Sequence, residues 1–226
     1  LLPLGALTLL IVVILTSVVL VPTPGDFGRA IASEELRYAV ALSLFTSSVS
    51  TAAALAVAIP VAYALSRYSF KGKRVLEATL LLPFAMPPVA LGAALLLFFA
   101  ATSIGRALNE VLNVVFEVPG LILAQFAVIC PIAIRVLKAS FDAVDPKYEA
   151  IARTLGYGRL STIAKVLLPM SRGGLLSAAL LSFSRALGEF GASVTLAGVT
   201  TMKTETLPIA VYLSLSAGDL ALTCAI

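Results

Sequence analysis

Two residues draw attention because their charge lies where charge is costly. Arg185 and Glu189 fall inside a long run that is otherwise apolar or small, and an i,i+4 spacing on a helix lets them face each other. Charges at such depth in a membrane point into a helix bundle or a wet cavity. One chemistry open to them is transient attraction of an anion by Arg185, with Glu189 keeping the anion from binding too tightly. The other is a plain structural ion pair, and the residues alone fit both. Ser182, Ser184 and Ser193 offer neutral donors nearby, although Ser is also a common small packing residue between membrane helices.

Much other chemistry is excluded. Histidine is absent from all 226 residues, which removes imidazole acid–base catalysis and His metal ligation. Cys130 and Cys224 sit among apolar residues, where Cys behaves as a small hydrophobe, and they form neither a metal spacing nor a disulfide framework. The phosphate-cradling pattern GxxxxGK[ST] is missing: Gly72-Lys73-Arg74 lacks both the upstream Gly and the hydroxyl. No nucleophile–base pair is visible, so nothing favours an enzyme.

A polar segment, 145–168, interrupts the apolar sequence and ends against Pro169. Asp145 is placed to cap a helix whose first turn holds Pro146, where a missing N–H costs least. Residues 147–155 are good helix formers, and Gly156 supplies a stop. Tyr148, Ile151, Ala152 and Leu155 recur at spacings of three and four, the mark of one shared face. Gly158 precedes a second stretch, Arg159 to Leu168. On geometry, a helix resting on anionic lipid and a helix docking a soluble partner fit equally well.

The elements that hold these residues must be membrane spans. The chain is 60% hydrophobic and only 12% charged, against roughly a quarter charged in soluble domains. Uncharged or nearly uncharged runs predict spans over about 2–21, 38–66, 78–101 and 118–137, a fifth is expected over 169–197 although it contains Arg185 and Glu189, and Leu220 to Ile226 reads as the opening of a sixth that the sequence cuts off. The run 118–137 reaches its length if Arg135 snorkels. Pro83, Pro87 and Pro88 should kink the third span, either as structure alone or as part of a pathway. The first run lacks the basic n-region and cleavage site of a signal peptide, and the absence of an initiating Met suggests a cut start. Ten Lys and Arg fall between spans two and three and between four and five, against four in the other connections. The positive-inside rule therefore places the N-terminus and the loop 138–172 in the cytoplasm of a multi-pass plasma-membrane protein. No internal repeat or linker divides the chain, so 1–226 is expected to be one all-α transmembrane domain.

Glu149-Ala150-Ile151-Ala152, with Gly156 and then Leu168-Pro169, resembles the EAA loop of ABC importer permeases, although the family's central Ala-Ala pair reads Ile151-Ala152 here. Ala152-Arg153-Thr154-Leu155-Gly156 is similar to the oxyanion branch of that superfamily. The run from Leu82 to Gly92 resembles the proline-rich third span of these permeases, and Ser184 to Ala192 the end of their fifth. The stretch Lys203 to Tyr212 is similar to their external segment before the last span, in its molybdate/tungstate form.

The resemblance implies a type I importer bundle with five complete spans, the start of a sixth and a cytoplasmic coupling helix. It implies coupling to an ATPase through Tyr148, Glu149, Ala150, Ile151, Ala152, Leu155, Gly156 and Pro169, with Glu149 the docking residue most exposed to partner charge. A pathway or gate would involve Pro83, Pro87, Pro88, Ser184, Arg185, Gly188, Glu189 and Phe190. The implied partners are a second permease copy in a homodimer, two ABC ATPase subunits, an extracytoplasmic oxyanion-binding protein and the lipid bilayer, but no nucleic acid. The chain itself would hold no cofactor, ATP and Mg belonging to the ATPase. The expected function is ATP-driven import of an oxyanion, molybdate or tungstate first, sulfate or thiosulfate as the alternative. A different class, an ion-gradient secondary transporter, would need inverted repeats and coupling carboxylates, and Glu189 is the sole deep carboxylate.

Overall fold

The computed structural model describes residues 2–226. Every regular element among them is helical: α1 (Leu2–Leu20), α2 (Pro24–Ala32), α3 (Glu34–Arg67), α4 (Lys73–Ala85), α5 (Pro88–Ala101), α6 (Ser103–Leu112), α7 (Val118–Asp142), α8 (Lys147–Thr154), α9 (Arg159–Thr162), α10 (Leu168–Met170), α11 (Arg172–Leu187), α12 (Gly191–Ala197), α13 (Leu207–Ser216) and α14 (Leu220–Ala225). A single π-turn, Ile163–Leu167, joins α9 to α10. The helices form two compact units, one of residues up to Leu44 with Val199–Ile226, the other Phe45–Gly198.

In the first unit, α2 is started by Thr23, whose hydroxyl and backbone N–H both donate to Asp26 Oδ2 at 2.7 and 2.8 Å. Those donors favour the ionised form and hold the Asp26 carboxyl below its ordinary range. Tyr38 donates to the Lys203 carbonyl at 3.0 Å, and the Leu207 N–H donates to Ser43 Oγ at 2.7 Å. These bonds tie the start of α3 to the loop before α13. That loop leads into a 10-residue helix, α13.

In the second unit α7 is the axle. Leu121, Gln125, Val128, Pro131, Ile134, Leu137 and Phe141 are buried at spacings of three and four, so its apolar stripe faces inward along its whole length. It packs against α4, α5, α11 and α12. In the same core as α7 lies a stripe of small residues on α3, with Ala54, Ala58 and Ala62 fully buried, the kind of stripe that lets helices approach closely. Ser50 Oγ donates to Gln125 Oε1 at 2.9 Å, and Gln125 Nε2 donates to Thr46 Oγ1 at 3.2 Å. The pair α3–α7 is thereby pinned in register by side chains as well as by packing.

Among the described residues, α3 and α7 are each long and apolar enough to cross a membrane, and the number rises to four if each of two bent pairs counts as one span. The bent pairs correct two expectations. The run 78–101 is not one kinked helix: α4 and α5 meet at 107°. A residue before proline is pushed out of the α region, and the tandem Pro87-Pro88 does this twice, leaving Met86 and Pro87 extended with ψ of 144° and 135°. Pro83, by contrast, lies inside α4. The run 169–197 is also interrupted. It turns by 81° before α11 begins at Arg172, and it breaks again at residues 188–190 before α12.

Candidate functional site: the α8 elbow and the helix breaks

The sequence places α8 well. Lys147 N–H donates to Asp145 Oδ1 at 2.9 Å, which supplies the expected cap. At the other end Gly156 has φ +90°, a left-handed conformation that glycine adopts without penalty. Tyr157 N–H then reaches back to the Ala152 carbonyl at 3.1 Å and Gly156 N–H to Arg153, closing the helix with a Schellman-type turn. The helix is two turns long and stops sharply.

Its faces differ from the expectation in two respects. Tyr148, Ile151 and Leu155 point outward, 50%, 57% and 73% exposed. Ala152 does not share that ridge: it is buried, on the same side as Glu149. Glu149, expected to be the residue most open to partner charge, is only 7% exposed. Its Oε1 is met by Arg67 Nε at 2.6 Å, and its Oε2 accepts from the Tyr63 hydroxyl at 3.1 Å. Arg67 also donates through Nη2 to the Val144 carbonyl at 2.9 Å and through Nη1 to Ser66 Oγ at 3.1 Å. Tyr63 and Arg67, one turn apart on α3, are functional candidates that sequence reading missed.

From Arg67 the polar contacts continue. Ser66 Oγ donates to Asp142 Oδ1 at 2.6 Å, and Lys138 Nζ donates to Asp142 Oδ2 at 2.9 Å. The same ammonium stands 3.7 Å from Glu77 on α4. Glu77, Lys138 and Asp142 border a half-open cavity of about 270 Å³ between α4 and α7, floored by Leu65, Leu80 and Ile134. Ala150 and Pro169 are exposed, Pro169 within the single turn of α10.

The gate candidates fall into two places that tertiary packing brings together. Arg185 and Glu189 form the expected i,i+4 pair at 2.6 Å. Glu189 is fully buried and its Oε1 accepts from the Ala192 N–H at 2.9 Å, so it also caps α12. The Arg185 side chain stays 36% exposed. Gly188 and Phe190 flank this break, and Ser184 is exposed one turn earlier. The α11–α12 break abuts the α4–α5 break: a Cβ on Gly191 would stand 3.1 Å from Pro88 Cβ and from the Val89 nitrogen. One turn on, a Cβ on Gly92 would stand 2.7 Å from the Ala192 carbonyl oxygen.

Residues 54–226 match the family of binding-protein-dependent transport system inner membrane components. The chain belongs to this family. It is an integral membrane protein with a transport role. A probable molybdenum ABC transporter permease protein of Haloferax volcanii is 35% identical over 210 residues, covering 93% of this chain and 76% of that one. The molybdenum transport system permease protein ModB of Escherichia coli K12 is 36% identical over 177 residues, 77% of each chain. In fold, the permease is similar to a bacterial alginate ABC transporter solved in complex with an alginate pentasaccharide-bound periplasmic protein. The TM-score is 0.76 at 17% identity, covering 98% of this chain and 86% of that one.

Proposed function

We propose that this permease is the membrane-spanning subunit of an ATP-driven ABC importer that carries molybdate or tungstate into the cytoplasm. The cargo reading is supported by the molybdenum permeases to which the chain is similar. The observation that carries the coupling reading is α8 itself. A two-turn helix with its acidic residue rooted in the body and an apolar ridge of Tyr148, Ile151 and Leu155 left uncovered is shaped to be gripped by a soluble partner. That partner is an ABC ATPase subunit, which binds ATP and Mg.

Two permease copies and two ATPases complete the pump, and an extracytoplasmic binding protein delivers the anion. A cytoplasmic position for the α3–α4 and α7–α11 connections, and for the N-terminus, is supported by their excess of Lys and Arg. ATP closes the ATPase pair, α8 follows as a lever, and the spans exchange inward- and outward-open states that nucleotide stabilises differently. The Arg185–Glu189 pair at the paired helix breaks offers a passing dianion one partly exposed guanidinium, its charge tempered by the buried carboxylate.

Reconstitution tests this reading. Liposomes holding the permease with its ABC ATPase and binding protein should accumulate labelled molybdate only when ATP is enclosed. Uptake by the permease alone, without nucleotide, would overturn it. Stronger competition by sulfate than by tungstate would reassign the cargo.

A further inference from the structure

We infer that Arg67 is the positioning residue that makes α8 move as one body with the membrane helices, acting through a polar relay that starts at a buried joint and ends on α4. This rests on the coupling role of α8 and adds to it the route by which force enters the membrane domain. The relay runs from Glu149 on α8 to Arg67 on α3, through Ser66 to Asp142 at the end of α7, and through Lys138 to Glu77 on α4.

Three observations single out its first joint. The side chains of Arg67 and Glu149 are 10% and 9% exposed, so water screens them little. Every nitrogen of the Arg67 guanidinium is used, toward Glu149, Val144 and Ser66, a fork that a lysine ammonium does not reproduce. Tyr63 takes the second carboxylate oxygen, so Glu149 is held from two sides and has little left to offer a partner. The remaining face of α8 is therefore the docking surface, and Glu149 is its root. Downstream, α4 leads straight to the extended residues Met86 and Pro87, where an applied turn can be absorbed without bending a helix.

The experiment compares Arg67→Gln, Arg67→Lys, the swap Arg67→Glu with Glu149→Arg, and the double variant Arg67→Met with Glu149→Met, which leaves no buried charge if a single variant fails to fold. Each is reconstituted with the ATPase and binding protein, and molybdate uptake per ATP hydrolysed is measured. Arg67→Gln and the double Met variant should keep the complex and its hydrolysis yet lose about tenfold in that ratio. Arg67→Lys should lie between these and wild type, and the swap should recover at least part of the loss. A wild-type ratio in Arg67→Gln or in the double Met variant overturns the inference.

A second readout needs no partner. Spin labels at positions 155 and 75, with Cys130 and Cys224 replaced by Ala, should give a narrow distance distribution that broadens in the double Met variant. An unchanged distribution overturns the relay. If wild type itself fails to couple while the distribution broadens as expected, the coupling role of α8 falls and the mechanical joint stands.

Discussion

Ile151 and Glu149 sit two positions apart on α8 and do opposite work. Ile151 leaves most of its side chain uncovered. Burying a side chain of that size contributes about 1.5–3 kcal/mol. Ile151→Asp should therefore weaken ATPase docking about ten- to hundredfold, while the melting temperature of the permease hardly moves, because exposed positions tolerate substitution. A titration of the detergent-solubilised permease with labelled ATPase reads the affinity, and undiminished binding would remove the ridge from the interface. Gln125 is the residue-scale counterpart inside the membrane. Gln125→Leu removes the hydrogen bonds that Gln125 makes with Ser50 and Thr46, and membrane hydrogen bonds are worth about 0.6–2 kcal/mol. A loss of that order should appear in reversible unfolding, with α8 docking unaffected. The residues readable in advance were those whose chemistry is local. Asp145, Pro146 and Gly156 act within a few positions of themselves, so their spacing identified a helix start and stop. Arg67 lies 82 positions from Glu149, and no periodicity in either segment encodes that meeting. The resemblance that offers Glu149 as a docking residue carries no sign of that partner.

At the scale of elements the same division holds. A charge-free run identifies a segment that belongs in the membrane, and α3 and α7 followed from that signal directly. It says nothing about direction. The run 78–101 is equally apolar whether straight or bent, and only the extended conformations imposed by Pro87-Pro88 separate α4 from α5. Short amphipathic helices such as α6 were missed because reading by uncharged runs passes over them. Gly156 carries the element-scale prediction for α8. A side chain there must adopt φ +90°, at a cost of about 1–2 kcal/mol for an L-residue. Proline cannot adopt that φ at all, and it also removes the N–H that Gly156 donates to Arg153. Gly156→Pro should insert and hydrolyse ATP through its partner while uptake collapses, because α8 no longer ends where the elbow turns. Wild-type uptake in that variant would show that the sharp stop is dispensable.

Across the Phe45–Gly198 unit, two long helices pinned by Gln125 form a frame, and two broken pairs form the parts able to change direction. Their breaks touch, Pro88 against Gly191, so neither pair can swing without the other. What holds the 107° bend is then a contest between local and tertiary terms. Replacing proline by alanine in a helix interior gains about 3 kcal/mol at each position, which favours α4 and α5 running on as one helix. Straightening would strip α5 from α12 and give up the packing around Leu91 and Phe99, both now buried, for contact with lipid tails that are as apolar but fit less closely. The two effects oppose each other. The variant Pro87→Ala with Pro88→Ala should accordingly populate both arrangements, giving two distances between spin labels at positions 75 and 97 where the native protein gives one. Uptake per ATP should fall, since a lever that ends in a loose joint transmits little of its stroke. A single native distance with normal uptake would mean that the α5–α12 contact fixes the bend unaided, and Gly92→Val, which drives a side chain into the Ala192 carbonyl, would then become the variant that releases it.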